Sequence, residues 1–200
     1  MTKKIDYYLA GFLGFLTGVF AVPTAFNLGV KSRIILLALP LVLPPIFIFG
    51  IWLSNFIAKK ISFFWQFGRF VAVGFLNTAI DFGALNILSS LSGITSGFII
   101  GGVNLPGFTI AVVNSYLWNK LWVFSSKGKE NLFHDMPKFL VITVIGILLN
   151  SGIVILATTY LSPVFVESPK AWLNLAKVLA TITNLVWNFL GYKLFVFAKR

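Results

Sequence analysis

Apolar residues run through this chain in long blocks, interrupted by short joints of basic and small residues. Six blocks are long enough to cross a bilayer as helices: 7–30, 34–57, 64–91, 98–124, 139–165 and 172–197. A hydrocarbon core about 30 Å thick takes roughly 20 apolar residues of helix, at about 1.5 Å per residue. Membrane strands would alternate apolar and polar positions over about ten residues, whereas these blocks are apolar nearly all round. The pattern predicts an all-α fold, a polytopic transmembrane bundle of six helices. The longest polar joint, Ser125 to Lys138, is too short for a folded soluble module.

The last four helices contain a duplication. RFVAVGFLNTAID (Arg69–Asp81) lies over KFLVITVIGILLN (Lys138–Asn150) at an offset of 69 residues. Arg69 and Phe70 fall on Lys138 and Phe139, and Gly74, Asn77 and Asp81 fall on Thr143, Gly146 and Asn150. Spacings of three and then four put the last three positions on one helix face. Each copy then continues to a second helix ending in KLWVF (Lys120–Phe124) or KLFVF (Lys193–Phe197), 73 residues apart. Because each copy is a two-helix hairpin, both enter the membrane from the same side and are related by an axis along its normal. The chain therefore divides into an N-terminal two-helix segment, 1–62, and a four-helix domain, 63–200, with repeats at about 64–126 and 134–198.

Composition sharpens this picture. With 58% hydrophobic and 10% charged residues in 200, the chain lies far from soluble domains. Its net charge of +11 is spread over short loops, which points to an anionic membrane surface and away from nucleic acid. With alternate joints on opposite sides, twelve Lys and Arg residues share the side of both termini and four lie opposite. The positive-inside rule then predicts a multi-pass protein of the cytoplasmic (inner) membrane with both termini cytoplasmic. Lys3 and Lys4 before an apolar run resemble the start of a signal sequence, but the run is long for one and no small-x-small site closes it, so it reads as a retained helix. The absence of cysteine rules out disulfides, thiolate metal sites and thiol nucleophiles. Five acidic residues, with Asp81 the one inside an apolar block, leave no paired carboxylates, metal cluster or nucleophile and base in workable order. The expectation is a protein that is not an enzyme and needs neither metal nor cofactor.

The polar residues inside the blocks carry the candidate chemistry. Asp81 lies twelve residues past Arg69, about 18 Å along a helix and deep in the membrane. A charge there costs roughly 2.5–3.5 kcal/mol on insertion scales, so Asp81 points inward, is protonated, or has a cationic partner, for which Lys177 is the candidate. Asn174, Lys177, Thr181, Asn184 and Asn188 follow one another at helical spacing as a polar stripe on the last helix. Together with Asn77, Asp81, Asn114, Asn119 and Asn150 they form a candidate polar path through the repeat helices; the competing reading is interhelical glue, worth about 0.6 kcal/mol per hydrogen bond. Lys120 and Lys193, four residues before the last phenylalanine of each copy, are placed to snorkel to the headgroups, with Trp118, Trp122 and Phe195 in the aromatic belt. In a functional reading, Arg69, Lys120, Lys138 and Lys193 converge on one side to hold a lipid phosphate, Arg by its planar fork and Lys as a point charge. Gly11, Gly14 and Gly18 suggest a packing or dimer face, the latter a route to a homo-oligomer, and Pro40, Pro44 and Pro45 a kinked second helix. His134, beside Asp135, reads as a solvated loop residue.

Arg69, Phe70, Gly74, Asn77 and Asp81, joined by NSYLWNKLWVF and WNFLGYKLFVF, resemble the GtrA-like family of small membrane proteins over about 64–200. The resemblance implies a part in cell-surface polysaccharide synthesis: translocation of a polyprenyl-phosphate-linked sugar, or of polyprenyl phosphate, across the cytoplasmic membrane, with a membrane glycosyltransferase as partner. The cations and amides named above then become candidate substrate-binding residues. Two features depart from the pattern: Tyr192 stands where the first copy has Asn119, and the first two helices lie outside the usual four-helix core. Two other functions suit the same residues. One is an accessory or anchoring subunit of a membrane glycosyltransferase, which needs a recognition face and no polar path; the other is a small ion or drug transporter using Asp81.

Overall fold

The computed structural model describes residues 4–93, 100–125, 133–161, 179 and 182–198, and among them regular structure is helical throughout. Helices α1 (Lys4–Asn27), α2 (Arg33–Ala58), α3 (Phe63–Ser92), α4 (Ile100–Trp118) and α5 (Met136–Tyr160) precede α6, residues 182–191. This is the six-helix, all-α architecture expected from the apolar blocks. Among the described residues α1, α2 and α3 are each long and apolar enough to cross a bilayer, and the protein is a multi-pass membrane protein. By contacts it forms two compact units, Met1–Ser125 and Ser126–Arg200. Their junction falls between the two repeats, so α1 and α2 share a unit with α3 and α4.

In the first unit, small residues set how closely the helices approach. A Cβ on Gly14 would lie 2.8 Å from the Leu43 carbonyl oxygen and from Pro44 Cα, and one on Gly18 would lie 2.5 Å from Pro40 Cα. The glycine face of α1 is thus a packing face within the chain, seated on the proline-bearing turns of α2. Such backbone-to-backbone contact suits a membrane, where dispersion contacts replace the hydrophobic drive between helices. Gly83 of α3 meets the Phe20 carbonyl in the same way, and Gly68 meets Ser54, whose hydroxyl donates to the Phe64 carbonyl. Helix α3 is accordingly buried along one face, through Phe70, Val73, Leu76 and Ile80. It ends where Gly93 takes up a left-handed φ of 71° and donates its N–H to the Ser89 carbonyl, a conformation that glycine adopts without the Cβ penalty.

The two copies of the duplicated hairpin share one unusual element. Helix α4 passes into a π-helical turn at Asn119–Val123, and α6 passes into another at Tyr192–Val196. Each is closed by an N–H donating five residues back, Phe124 to Asn119 at 2.9 Å and Phe197 to Tyr192 at 2.8 Å. A π turn holds more residues per revolution than an α turn, so it keeps more of a short stretch on one side. Asn119, Lys120, Trp122, Val123 and Phe124 are all buried while Leu121 alone points away. The repeated KLWVF and KLFVF endings are therefore the same local fold made twice.

In the second unit α5 and α6 form an antiparallel hairpin. Pro137 opens α5 within its first turn, where its missing N–H would have no helical partner. Phe139 is buried and stacks on Tyr192 with ring centroids 4.4 Å apart. Gly191 lies so close to Ile142 that a side chain there would collide with its methyl groups, or nearly so. Nearer the other end of the hairpin, Trp187 Nε1 donates to the Ile142 carbonyl at 3.0 Å.

Candidate functional site

The most strongly built polar cluster joins α1, α3 and the first π turn. Arg69 Nη2 lies 2.8 Å from Asp6 Oδ1, Arg69 Nη1 donates to the Trp122 carbonyl at 2.9 Å, and Trp122 Nε1 donates to the same Asp6 oxygen at 2.9 Å. The guanidinium also sits 3.8 Å from the Trp65 ring centroid and 5.6 Å from that of Trp122. Asp6 and Arg69 side chains are only 3% and 8% exposed. In a low-dielectric setting such an ion pair persists only when its remaining donors and acceptors are largely met, and here two indoles and a carbonyl meet most of them. Arg69 Nε keeps no hydrogen-bond partner among the described residues.

This cluster corrects two expectations. Trp122 is not part of an interfacial belt, because the π turn carries its indole inward onto Asp6. Lys120 does not snorkel outward: it is 5% exposed, and its ammonium donates to the Tyr116 hydroxyl at 3.3 Å. The apolar and polar pattern of the sequence does not mark Asp6 as a site residue. The available signal was an acid at the start of the first apolar block, on the same predicted side as Arg69, in a chain with five acids in all.

Deeper along the first hairpin, Asn114 Nδ2 donates to Asn77 Oδ1 at 2.7 Å, and Asn119 Nδ2 donates to the carbonyl and hydroxyl of Ser115 at 2.8 and 3.2 Å. Asp81 is half-buried and faces α4. A Cβ on Gly107 would lie 2.9 Å from the Asp81 carbonyl oxygen and 3.4 Å from Oδ1. That Oδ1 is buried and has no hydrogen-bond partner among the described residues, and neither has Asn119 Oδ1. A further network, unforeseen in the sequence, ties α1 to α3: Asn27 Nδ2 donates to Asn86 Oδ1 at 2.9 Å and to Ser90 Oγ at 3.2 Å.

The second hairpin repeats the theme with the partners exchanged. Here the glycine, Gly146, is on α5 and the polar groups, Asn184 and Asn188, are on α6. Asn188 Nδ2 donates to Asn184 Oδ1 at 3.2 Å. Any side chain at Gly146 would strike Asn184 Oδ1 and approach Asn188 Oδ1 within 2.7 Å. Asn188 Oδ1 is a buried acceptor without a hydrogen-bond partner among the described residues. Thr143 and Tyr192 hydroxyls share a hydrogen bond of 2.8 Å, so the tyrosine that departs from Asn119 of the first copy is matched by a threonine where the first copy has Gly74. Lys138 is exposed, and Lys193 is half-buried with its ammonium 5.6 Å above the Phe189 ring centroid. His134 is exposed in the short turn before α5. Lys177, Asn174, Thr181 and the side chain of Asn150 lie outside the described residues.

Comparison with known proteins places these hairpins in context. A family profile described as GtrA/DPMS, transmembrane domain, matches residues 69–197, which begins at Arg69 and ends at the last phenylalanine of the second copy. An uncharacterized membrane protein of Bacillus subtilis (strain 168), YngA, is 32% identical over 132 residues, covering 65% of this chain and 78% of its own. No solved structure matches.

Proposed function

Since the chain belongs to the GtrA/DPMS transmembrane family, we propose that it moves a polyprenyl-phosphate-linked sugar, or the polyprenyl phosphate, across the cytoplasmic membrane for cell-surface polysaccharide synthesis. In this reading it is a non-catalytic translocase with both termini in the cytoplasm. The isoprenoid tail stays in lipid while the polar head travels along the amides of the hairpins.

The observation that carries the reading is the pair of unmet acceptors. Each hairpin holds a buried oxygen against a facing glycine, Asp81 Oδ1 by Gly107 and Asn188 Oδ1 by Gly146, and each lacks a donor among the described residues. A buried acceptor left unsatisfied costs about 1–3 kcal/mol. Sugar hydroxyls supply the donors such oxygens lack, and the glycines keep the surface beside them free of side chains. Lys138 and Lys193 would receive the phosphate at the cytoplasmic ends of α5 and α6. A membrane glycosyltransferase is the partner that would use or supply the lipid-linked sugar.

The test is transfer of a fluorescent short-chain polyprenyl-phosphate sugar across the bilayer of reconstituted vesicles. Losing one hydrogen bond to the moving head, worth about 1–1.5 kcal/mol, slows transfer roughly tenfold. That is the expected result for Asn188→Ala and for Asp81→Ala, each of which removes the accepting oxygen, with folding unchanged. Wild-type rates in both variants would refute the reading. A wild-type protein that moves no lipid but restores activity to a co-reconstituted glycosyltransferase would favour an accessory subunit instead.

A further inference from the structure

Asp81 is the one acid inside an apolar block, and the duplication supplies a comparison for it: at the matching place in the second copy stands Asn150. An asparagine is therefore compatible with this position in the hairpin, and it carries no charge to hold at membrane depth. The first copy keeps the charge, and the basic residues of its unit are engaged or remote. Along α1 to α4 these are Lys4, Arg33 and Arg69. Lys4 and Arg33 open their helices, and Arg69, about 18 Å back along α3, is engaged with Asp6. Lys120 lies past the end of α4, about 20 Å beyond the Gly107 that faces Asp81. Asn77, one turn nearer Arg69, accepts from Asn114 at 2.7 Å; the two amides offer hydrogen bonds and no charge. Asp81 itself is half-buried, so the chain does not seal off its carboxylate, and its Oδ1 lacks a hydrogen-bond partner among the described residues.

We propose that Asp81 recognises a primary ammonium group, so that the head carried is that of an amino sugar. The proposal rests on the lipid-linked-sugar reading above and narrows it; recruitment of the phosphate is unchanged. A sugar hydroxyl would give Asp81 Oδ1 a donor and leave the carboxylate's charge uncompensated. An ammonium brings the donor and the opposite charge in one group, and hydrogen bonds to ionised groups are about twice as strong as those between neutral ones. The need is mutual. An amine crossing the hydrocarbon core as a cation requires a counter-ion there, and Asp81 stands about midway between Arg69 and the end of α3 at Ser92, where that requirement is greatest. In the second hairpin, the unmet acceptor of Asn188 is an uncharged amide oxygen, which a hydroxyl satisfies in full.

The experiment uses the full chain in phosphatidylcholine nanodiscs with three lipids that share one short polyprenyl phosphate and carry glucosamine, N-acetylglucosamine or glucose. Binding of each is read by native mass spectrometry at neutral pH. The glucosamine lipid should bind about tenfold more tightly than the other two, the difference between a hydrogen bond to a charged group and a neutral one. Asp81→Asn keeps an accepting oxygen and removes the charge, so it should abolish the preference. It should also fold, since the second copy carries asparagine at this place; if it does not, Asp81→Ala is expected to lose the preference in the same way. Equal binding of the three lipids by the wild type, or a preference that survives both substitutions, overturns the proposal; the first result would mean that Asp81 already has its cation, for which Lys177 is the candidate. Free glucosamine at equal concentration should not displace the glucosamine lipid, and displacement would assign the site to a free organic cation and overturn the lipid-linked form. Asp81-dependent preference for the amine in a protein that moves no lipid would sink only the transport reading. A wild type that transfers all three lipids and binds them equally would sink only the amine site.

Discussion

Replacing Asp6 by alanine should cost far more than a lost surface contact, because it leaves the Arg69 guanidinium buried without its counter-ion. With side chains 3% and 8% exposed, neither charge can turn to water or headgroups without moving a helix. Removing one partner of a buried pair costs about 3–5 kcal/mol. The donor left behind on Trp122 Nε1, now bonded to Asp6 at 2.9 Å, adds to that, while the two indole faces around Arg69 offset part of it, by about 1 kcal/mol. The net expectation is about 3–4 kcal/mol, read by equilibrium unfolding in mixed micelles with tryptophan fluorescence. The double variant Asp6→Leu/Arg69→Met removes both charges and should return to within about 1 kcal/mol of wild type, since an apolar replacement of a buried pair is often neutral. A loss below about 1 kcal/mol in Asp6→Ala, or a double variant as unstable as the two single changes summed, would refute a coupled pair.

Three further outcomes follow from the packing. Gly18→Leu forces a side chain into the Pro40 backbone, 2.5 Å from the position of its Cβ, and should destabilise α1 against α2 by at least the 1–3 kcal/mol typical of overpacking; Gly74→Ala, whose Cβ meets nothing within 4 Å, is the neutral control in the same unfolding assay. Thr143→Val removes the partner of the Tyr192 hydroxyl and should cost about 1 kcal/mol, while Thr143→Val combined with Tyr192→Phe should lose less than the two changes separately. Lys138→Ala should slow vesicle transfer while leaving the unfolding midpoint in place, since this lysine is exposed; a shifted midpoint with unchanged transfer would assign it a structural role only.

Much of the fold was legible because its signals are local. Block length and apolar character set the spans, and the spacing of Arg69, Asn77 and Asp81 against Lys138, Gly146 and Asn150 revealed the duplication. Gly14 and Gly18 were readable as a packing face because only small residues allow such approach. What stayed hidden depended on which helices touch and on local pitch. The pairing of Asp6 with Arg69 requires α1 to lie beside α3, and hydropathy does not encode adjacency. The inward placement of Lys120 and Trp122 follows from a π turn that shifts the register of every residue after Asn119, so a projection at α-helical pitch misplaces them. The contact of Gly146 with Asn184 and Asn188 depends on the stagger of α5 along α6, although the stripe of amides had marked those residues as candidates.

The two copies differ at the residues that meet α1 in the first copy, and that difference has a physical logic. Arg69 and Trp122 of the first copy correspond to Lys138 and Phe195 of the second. An arginine fork and an indole N–H can both engage a single carboxylate oxygen, as they do on Asp6; lysine and phenylalanine in those places could not reproduce that arrangement, since phenylalanine has no donor. Consistently, Phe195 is 65% exposed while Trp122 is buried. The same divergence separates Asn119 from Tyr192, whose ring stacks on Phe139 and whose hydroxyl meets Thr143, contacts the first copy cannot make with Gly74 in the threonine's place. In the first copy, the cation that opens the repeat is spent on holding α1 to the hairpin. In the second, Lys138 remains exposed at the corresponding end. If one end of this duplicated unit receives an anionic lipid head, the charge available to receive it belongs to the second copy, and any loss of activity in an Arg69 variant would then report on folding.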